Sequence, residues 1–214
     1  MRVGNLPGIR RLPVYLNLLR QLRNDGQSTV SAAALAGMAG LVASVVRKDL
    51  EMTGAAGTTG IGFGIDALID GIESFLGWDN PNDAILVGAG NLGSALLGHR
   101  ELRGQGLNII TAFDSDPDRV GRTIHGIEVL PMEKLSTLPR RLHIAMAVLT
   151  VPSNQAQKVT DALVEAGITR IWSFAADILQ VPKGVIVQRE DLSAGLAELL
   201  VRSEKGRKMT LEEP

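Results

Sequence analysis

The chain of 214 residues, 45% of them hydrophobic, has the length for one large domain or two small ones and the apolar content to bury a core. It has no cysteine, which excludes disulfides, thiolate metal sites and cysteine nucleophiles, so any redox function would have to act through a bound cofactor. The net charge of −1 hides an uneven distribution: residues 1–50 carry seven cations against Asp25 and Asp49, and after Lys48 no Lys or Arg appears until Arg100.

Arg2, Arg10 and Arg11 with no long apolar run make the N-terminus read as neither a signal peptide nor a membrane span, and a cytoplasmic protein is expected. Leu12, Tyr15, Leu16, Leu18, Leu19 and Leu22 recur at helical spacing, and Asn24-Asp25-Gly26 stops that helix. Ser31 can cap a second helix through residue 36, with residues 37–40 as a turn, and residues 42–50 supply a third. Three short helices followed by a glycine-rich ribbon ending at Phe63 read as a winged helix-turn-helix, or equally as a small helical cap with no DNA role. Ile65, Leu68, Ile69, Ile72, Phe75 and Leu76 form the apolar stripe of a linking helix. Gly77-Trp78-Asp79-Asn80-Pro81 then stops that helix, which puts the first domain at 1–80.

From residue 84 the pattern changes. Apolar runs at 84–87, 109–113, 144–149, 171–174 and 185–187 suit strands of a parallel sheet covered on both faces. Helical stretches at 91–99, 153–166 and 192–203 separate or follow them, so the fold class is α/β, with a doubly wound, mainly parallel Rossmann domain over 81–190. The stretch Gly88-Ala89-Gly90-Asn91-Leu92-Gly93 sets G-x-G-x-x-G after a strand and at the mouth of a helix. Gly88 permits the tight turn, Gly90 lets the backbone approach a pyrophosphate, and Gly93 lets helix and strand pack closely. Asp114 lies 21 residues beyond Gly93, at the end of a strand, where a carboxylate accepts from ribose hydroxyls and repels a 2′-phosphate. NAD(H) is therefore the expected cofactor. Asp116 is a second candidate for that contact, and Arg119 and Arg122 stand nearby. Thr150, Val151 and Pro152 leave a strand on the same sheet edge and are candidates to line the nicotinamide side, or simply a proline in the first turn of a helix. His99, His125 and His143 read as surface or edge residues, and little chain remains after Pro152 for a substrate domain. A binding protein is expected rather than an enzyme, with no metal site.

Taken together, Arg11-Leu12-Pro13-Val14-Tyr15-Leu16, Val46-Arg47-Lys48-Asp49-Leu50, Gly60-Ile61-Gly62-Phe63, the Gly88–Gly93 turn, Phe113-Asp114-Ser115-Asp116-Pro117, Leu149-Thr150-Val151-Pro152, Ser173-Phe174-Ala175 and Val181-Pro182 resemble Rex, the bacterial repressors that respond to the NADH/NAD+ balance. The resemblance implies a homodimer that swaps a C-terminal helix, here within 191–214, and that leaves its operator DNA when NADH closes it. It further implies DNA reading by Ser44, Arg47 and Lys48, with Thr58 and Thr59 standing where the family's wing has Arg or Lys. An ion pair of Arg11 with Asp191 would couple the domains. His99 replaces a tyrosine of that coupling, and Leu192 takes the place of an aromatic that meets the nicotinamide. Glu51-Met52-Thr53-Gly54 replaces the usual Ser-Tyr-Phe-Gly. Two alternatives stay open: a paralogue that keeps NAD(H) and dimerisation but has lost specific DNA binding, and an NAD-dependent oxidoreductase.

Overall fold

In the computed structural model, which describes residues 6–211, helix α1 (Leu6–Asn24) buries the expected stripe of Leu12, Tyr15, Leu16, Leu19 and Leu22. It begins well before that stripe and carries Pro13 in its interior, which forfeits one helical hydrogen bond. A two-residue strand β1 (Thr29–Val30) leads to helix α2 (Ala32–Ala39), whose first turn is capped by the Ser31 hydroxyl accepting from the Ala34 N–H at 3.0 Å. The turn expected from residue 37 starts later, because Gly37 stays helical and only Gly40, at φ 66°, takes the left-handed cap. Helix α3 (Ala43–Glu51) follows. The glycine-rich ribbon then folds back through a Thr58–Gly62 bridge to strand β2 (Phe63–Gly64), which pairs antiparallel with β1. Helix α4 (Ile65–Leu76) buries Ile65, Leu68, Ile69 and Ile72 and stops at left-handed Gly77, as its sequence predicts. The unit is a winged helix-turn-helix. Its wing depends on Gly62, where φ is 98° and a Cβ would lie 2.5 Å from the Val30 carbonyl oxygen.

The first helical unit is tied by charge as well as apolar packing. Arg11 Nε donates to Asp49 Oδ2 at 2.6 Å, its Nη2 to Oδ1 at 2.8 Å, and the Tyr15 hydroxyl to Oδ2 at 2.8 Å. Asp49 is 1% exposed. Burial pushes its carboxyl up, yet hydrogen bonds from Arg11 and Tyr15 and the attraction of Arg11 and Lys48 prevail and hold it below the ordinary value. Burial, followed by the bond to Asp49, pushes the Tyr15 hydroxyl up to about 12. These contacts fasten α3 to α1 and so fix which side of α3 faces outward.

The boundary between the two compact units falls between Pro81 and Asn82. The second unit contains β3 (Asn82–Val87), α5 (Asn91–Leu97), α6 (Arg100–Gly104), β4 (Leu107–Asp114), β5 (Thr123–Ile124), β6 (Ile127–Pro131), a 3-10 turn at Met132–Ser136 and α7 (Leu138–Arg141). It continues with β7 (Met146–Leu149), α8 (Ser153–Glu165), β8 (Arg170–Ser173), β9 (Ile186–Arg189) and α9 (Leu192–Leu211). Side chains of Leu192 and of residues 203–211 lie outside the described residues. The seven-stranded sheet runs β5-β6-β4-β3-β7-β8-β9, with only the short β5–β6 pair antiparallel. The five expected strands are present as β3, β4, β7, β8 and β9; the β5–β6 hairpin, α6 and α7 are additions. The reversal of strand order between β3's neighbours β4 and β7 opens the crevice at which such sheets bind ligands.

Because the Asp49 carboxyl is depressed on folding, its contribution to stability is present above the ordinary carboxylate value of about 3.9 and is lost as pH falls through its lower folded value. Asp49→Ala leaves Arg11 and Tyr15 without their acceptor and is expected to destabilise the N-terminal unit by about 3 kcal/mol at neutral pH. Urea unfolding of wild type and variant from pH 7 to 3 checks this, with the gap between them closing towards the acid end.

Candidate nucleotide crevice and nucleic-acid face

The turn after β3 is shaped by three close approaches. A Cβ on Gly93 would lie 2.0 Å from the Gly88 carbonyl oxygen, and one on Gly88 would meet the Thr150 carbonyl at 2.9 Å. Gly88 also holds φ at 99°, which a side chain resists. Thr150 Oγ1 donates to the carbonyls of Val87 at 3.1 Å and Gly88 at 2.7 Å, which fastens the end of β7 to the turn. Around Gly90, by contrast, only the end of Arg119 comes within 3.8 Å of a hypothetical Cβ, so this stretch of backbone is open to approach.

Asp114 sits at the end of β4 and is 6% exposed. Its Oδ2 accepts from the Ala89 N–H at 2.7 Å and its Oδ1 from the Asp116 N–H at 2.9 Å. Arg119 reaches Asp114 Oδ2 at 3.2 Å and Asp116 Oδ2 at 3.5 Å. The carboxylate therefore already holds the glycine turn. With about four lone-pair positions and three donors, it keeps acceptor capacity for one more hydroxyl.

A crevice of about 630 Å³ is lined by Gly88, Gly90, Asn91, Leu92, Asp114, Asp116, Thr150, Val151 and Pro152, so the fold gathers nine of the twelve candidate cofactor residues. Ala89 and Gly93 are buried beneath it and shape the turn; the Leu192 side chain lies outside the described residues. Residues not anticipated in the lining include Met132, after the unexpected strand β6, and Gln155 and Val159 in α8. Their signal was the i, i+4 spacing of Gln155 and Val159 directly after Pro152.

On the winged-helix unit, Ser44, Arg47 and Lys48 are exposed on α3, and Thr58 and Thr59 on the wing. Arg47 and both threonines border a hollow of about 610 Å³ between helix and wing, together with Glu51; Ser44 and Lys48 do not border it. The two residues expected to couple the domains have partners within their own units: Arg11 holds Asp49, while Asp191 accepts from the Ser193 N–H at 3.0 Å and lies 3.9 Å from Arg189. His99 precedes α6 as its N-terminal cap residue and borders a separate hollow with Arg100, Arg103 and His125. Among the described residues no helix is long and apolar enough to cross a membrane.

A winged helix joined to a Rossmann unit with a glycine-turn crevice defines a two-domain protein that pairs a nucleic-acid-type module with a nucleotide-type one. A family model described as "Putative DNA-binding protein N-terminus" matches residues 6–51, and one described as "CoA binding domain" matches residues 79–176. The chain is 42% identical over 198 residues to the redox-sensing transcriptional repressor Rex of Treponema denticola, covering 92% of this chain and 94% of the relative. It is 39% identical over 199 residues to the Rex of Clostridioides difficile, covering 93% and 95%. Among solved structures it is similar to RSP in complex with β-NAD+ and operator DNA, at a TM-score of 0.88 and 32% identity over the whole of both chains. It is similar also to RSP with β-NADH, at 0.88 and 30% over the whole of both chains. The chain belongs to the Rex family of redox-sensing transcriptional repressors. These relatives are regulators by name and not enzymes, in line with the expectation from the histidines.

Gly93→Ala drives a methyl into the Gly88 carbonyl and is expected to destabilise the C-terminal unit by about 3 kcal/mol, the upper range for overpacking. Thermal unfolding followed at Trp172, in β8, in a Trp78→Phe background that removes the N-terminal unit's signal, reads this.

Proposed function

We propose that this chain is a cytoplasmic, homodimeric repressor that binds operator DNA and is released when NADH replaces NAD+. The observation that carries the reading is the crevice of Gly88, Gly90 and Asp114 on the same chain as an exposed Arg47–Lys48 pair. The crevice fits a dinucleotide: its turn is closed to side chains at Gly88 and Gly93 and open at Gly90, where a pyrophosphate needs the backbone. Coenzyme A and NAD(H) share an adenosine diphosphate, which accounts for a family model named after the former. The carboxylate of Asp114 decides between them, since it accepts from a free ribose diol and repels a phosphorylated one. Arg119, placed between Asp114 and Asp116, offsets part of that repulsion. When bound, the nicotinamide would supply the redox signal, and the residues lining the crevice would hold it without reacting with it.

Release of DNA requires NADH to prefer one arrangement of the subunits over another, because a ligand shifts an equilibrium only by its differential affinity. Homodimerisation is supported by α9, where Leu196 and Leu199, on one side of the helix, are each more than half exposed, apolar surface that a partner would cover. If Arg11 joins Asp191 in one state, Asp49 must release or share it, which couples the switch to the seat of α3. The uncharged wing supports the second reading, a paralogue without specific DNA binding.

Two measurements test this. Asp114→Ala is expected to weaken NADH about 10- to 100-fold, the worth of one hydrogen bond to a charged group. It should also narrow the preference for NADH over NADPH, a ratio that general damage to the fold does not move. Binding to a Rex-type palindrome should be specific with NAD+ and lost with NADH. With Lys48 as the main phosphate cation of each of two subunits, the salt dependence is expected to be shallow, with a log–log slope of about −2. Cofactor binding without any specific DNA complex would favour the paralogue.

A further inference from the structure

The exposed face of α3 contains a residue that the repressor reading does not use. At 100° per residue, Ser44, Arg47, Lys48 and Glu51 fall within one stripe, while Val46, Asp49 and Leu50 are buried on the other side. Glu51 is at the centre of that stripe, seven residues and two turns from Ser44. It is exposed, it borders the same hollow as Arg47 and the wing, and neither residue has an ion-pair partner among the described residues.

Its position is electrostatically unfavourable in two ways. A carboxylate in the last turn of a helix meets the negative end of the helix dipole. On a face meant for nucleic acid it also opposes the phosphates. No ion pair among the described residues offsets either effect. One chemistry does turn such a carboxylate to advantage: in the major groove, cytosine presents an N4 amino donor that a glutamate accepts from, while the acceptors of guanine and the carbonyl of thymine repel it and adenine sets a repelling N7 acceptor beside its N6 donor.

We propose that Glu51 is a specificity-determining residue of the DNA-binding face, selecting cytosine in each half of the operator. The inference rests on the repressor reading above and names what that face prefers. Arg47, one turn earlier on the same stripe, is built to take the acceptor edge of a guanine, so the pair reads G and C with opposite charges. The two turns between Ser44 and Glu51 span about 10 Å, the rise of about three base pairs, which puts the cytosine about three steps from the base nearest Ser44. The Asp49 contacts with Arg11 and Tyr15 hold α3 against rotation and keep Glu51 on the groove side.

The test is selection of binding sites from a randomised palindrome in the presence of NAD+, run on the full-length wild type, Glu51→Ser and Glu51→Gln. The expected result is a cytosine at symmetry-related positions with wild type, favoured by about tenfold over other bases. Glu51→Ser should lose that preference without losing the rest of the site, and Glu51→Gln should shift it to adenine, whose N6 and N7 a glutamine engages. Urea unfolding of each variant verifies that the N-terminal unit is folded, and retention of the rest of the selected site confirms it. The same consensus from all three proteins overturns the inference and leaves the repressor reading intact. Failure of the wild type to enrich any sequence overturns both.

Discussion

The C-terminal unit is organised around one buried carboxylate. Asp114 Oδ2 accepts the N–H of Ala89, and this bond joins the end of β4 to the turn that follows β3. Without it, a turn made mostly of glycine, with Gly88 at positive φ, would have to hold its shape against the largest backbone entropy any sequence offers. Thr150 adds a second tie from β7, so three strands meet at one short segment. The ligand then finds the turn already ordered. A residue usually described by its contact with the ribose is here first a structural element, and its remaining acceptor capacity is what a ribose would share.

Asp49 plays a corresponding part in the N-terminal unit. It is nearly inaccessible and fully engaged by Arg11 and Tyr15, and it sits on the helix whose other side carries Ser44, Arg47, Lys48 and Glu51. Removing one partner of such a group leaves a buried charge uncompensated, so the arrangement is all-or-none. That property suits a recognition helix. A helix that can rotate by one residue changes every side chain it presents, whereas α3 is held in register by a charge that has no other place to go.

Much of this was legible in the sequence, and what was not has a common cause. Helix stripes such as Ile65, Leu68, Ile69 and Ile72 could be read because burial on one face leaves a period of 3.6 residues. The central strands could be read because burial on both faces leaves runs such as Ile85–Leu86–Val87. The β5–β6 hairpin escaped because β5 has only two residues, too few to show any period, and its turn places His125 at φ 49° where Asn or Gly is the usual signal. With β6 unrecognised, Met132 was lost from the crevice lining as well. The Arg11–Asp49 pair was equally unreadable, since 38 residues separate its members and a charge at helical spacing looks the same whether it faces solvent or another helix. The resemblance pointed Arg11 towards Asp191; the bond to Asp49 belongs to this unit alone.

The neutral wing and the redox response then bear on each other. If Thr58 and Thr59 face DNA as proposed, their lack of charge lowers affinity for all DNA alike, specific and non-specific, so the ratio between them is untouched while a larger share of the binding energy would pass to base contacts of α3. Allosteric coupling between two sites is typically worth about 1–3 kcal/mol. A complex held by many phosphate contacts lies well beyond the reach of a coupling that small, and NADH would weaken it without emptying the operator. A complex held mainly by Arg47, Lys48 and a few base edges lies closer to the threshold, where the same coupling changes occupancy over a narrow range of the NADH/NAD+ ratio. An uncharged wing is in this sense consistent with a switch that responds more sharply, and it would make the register of α3, held by Asp49, the point on which the proposed recognition rests.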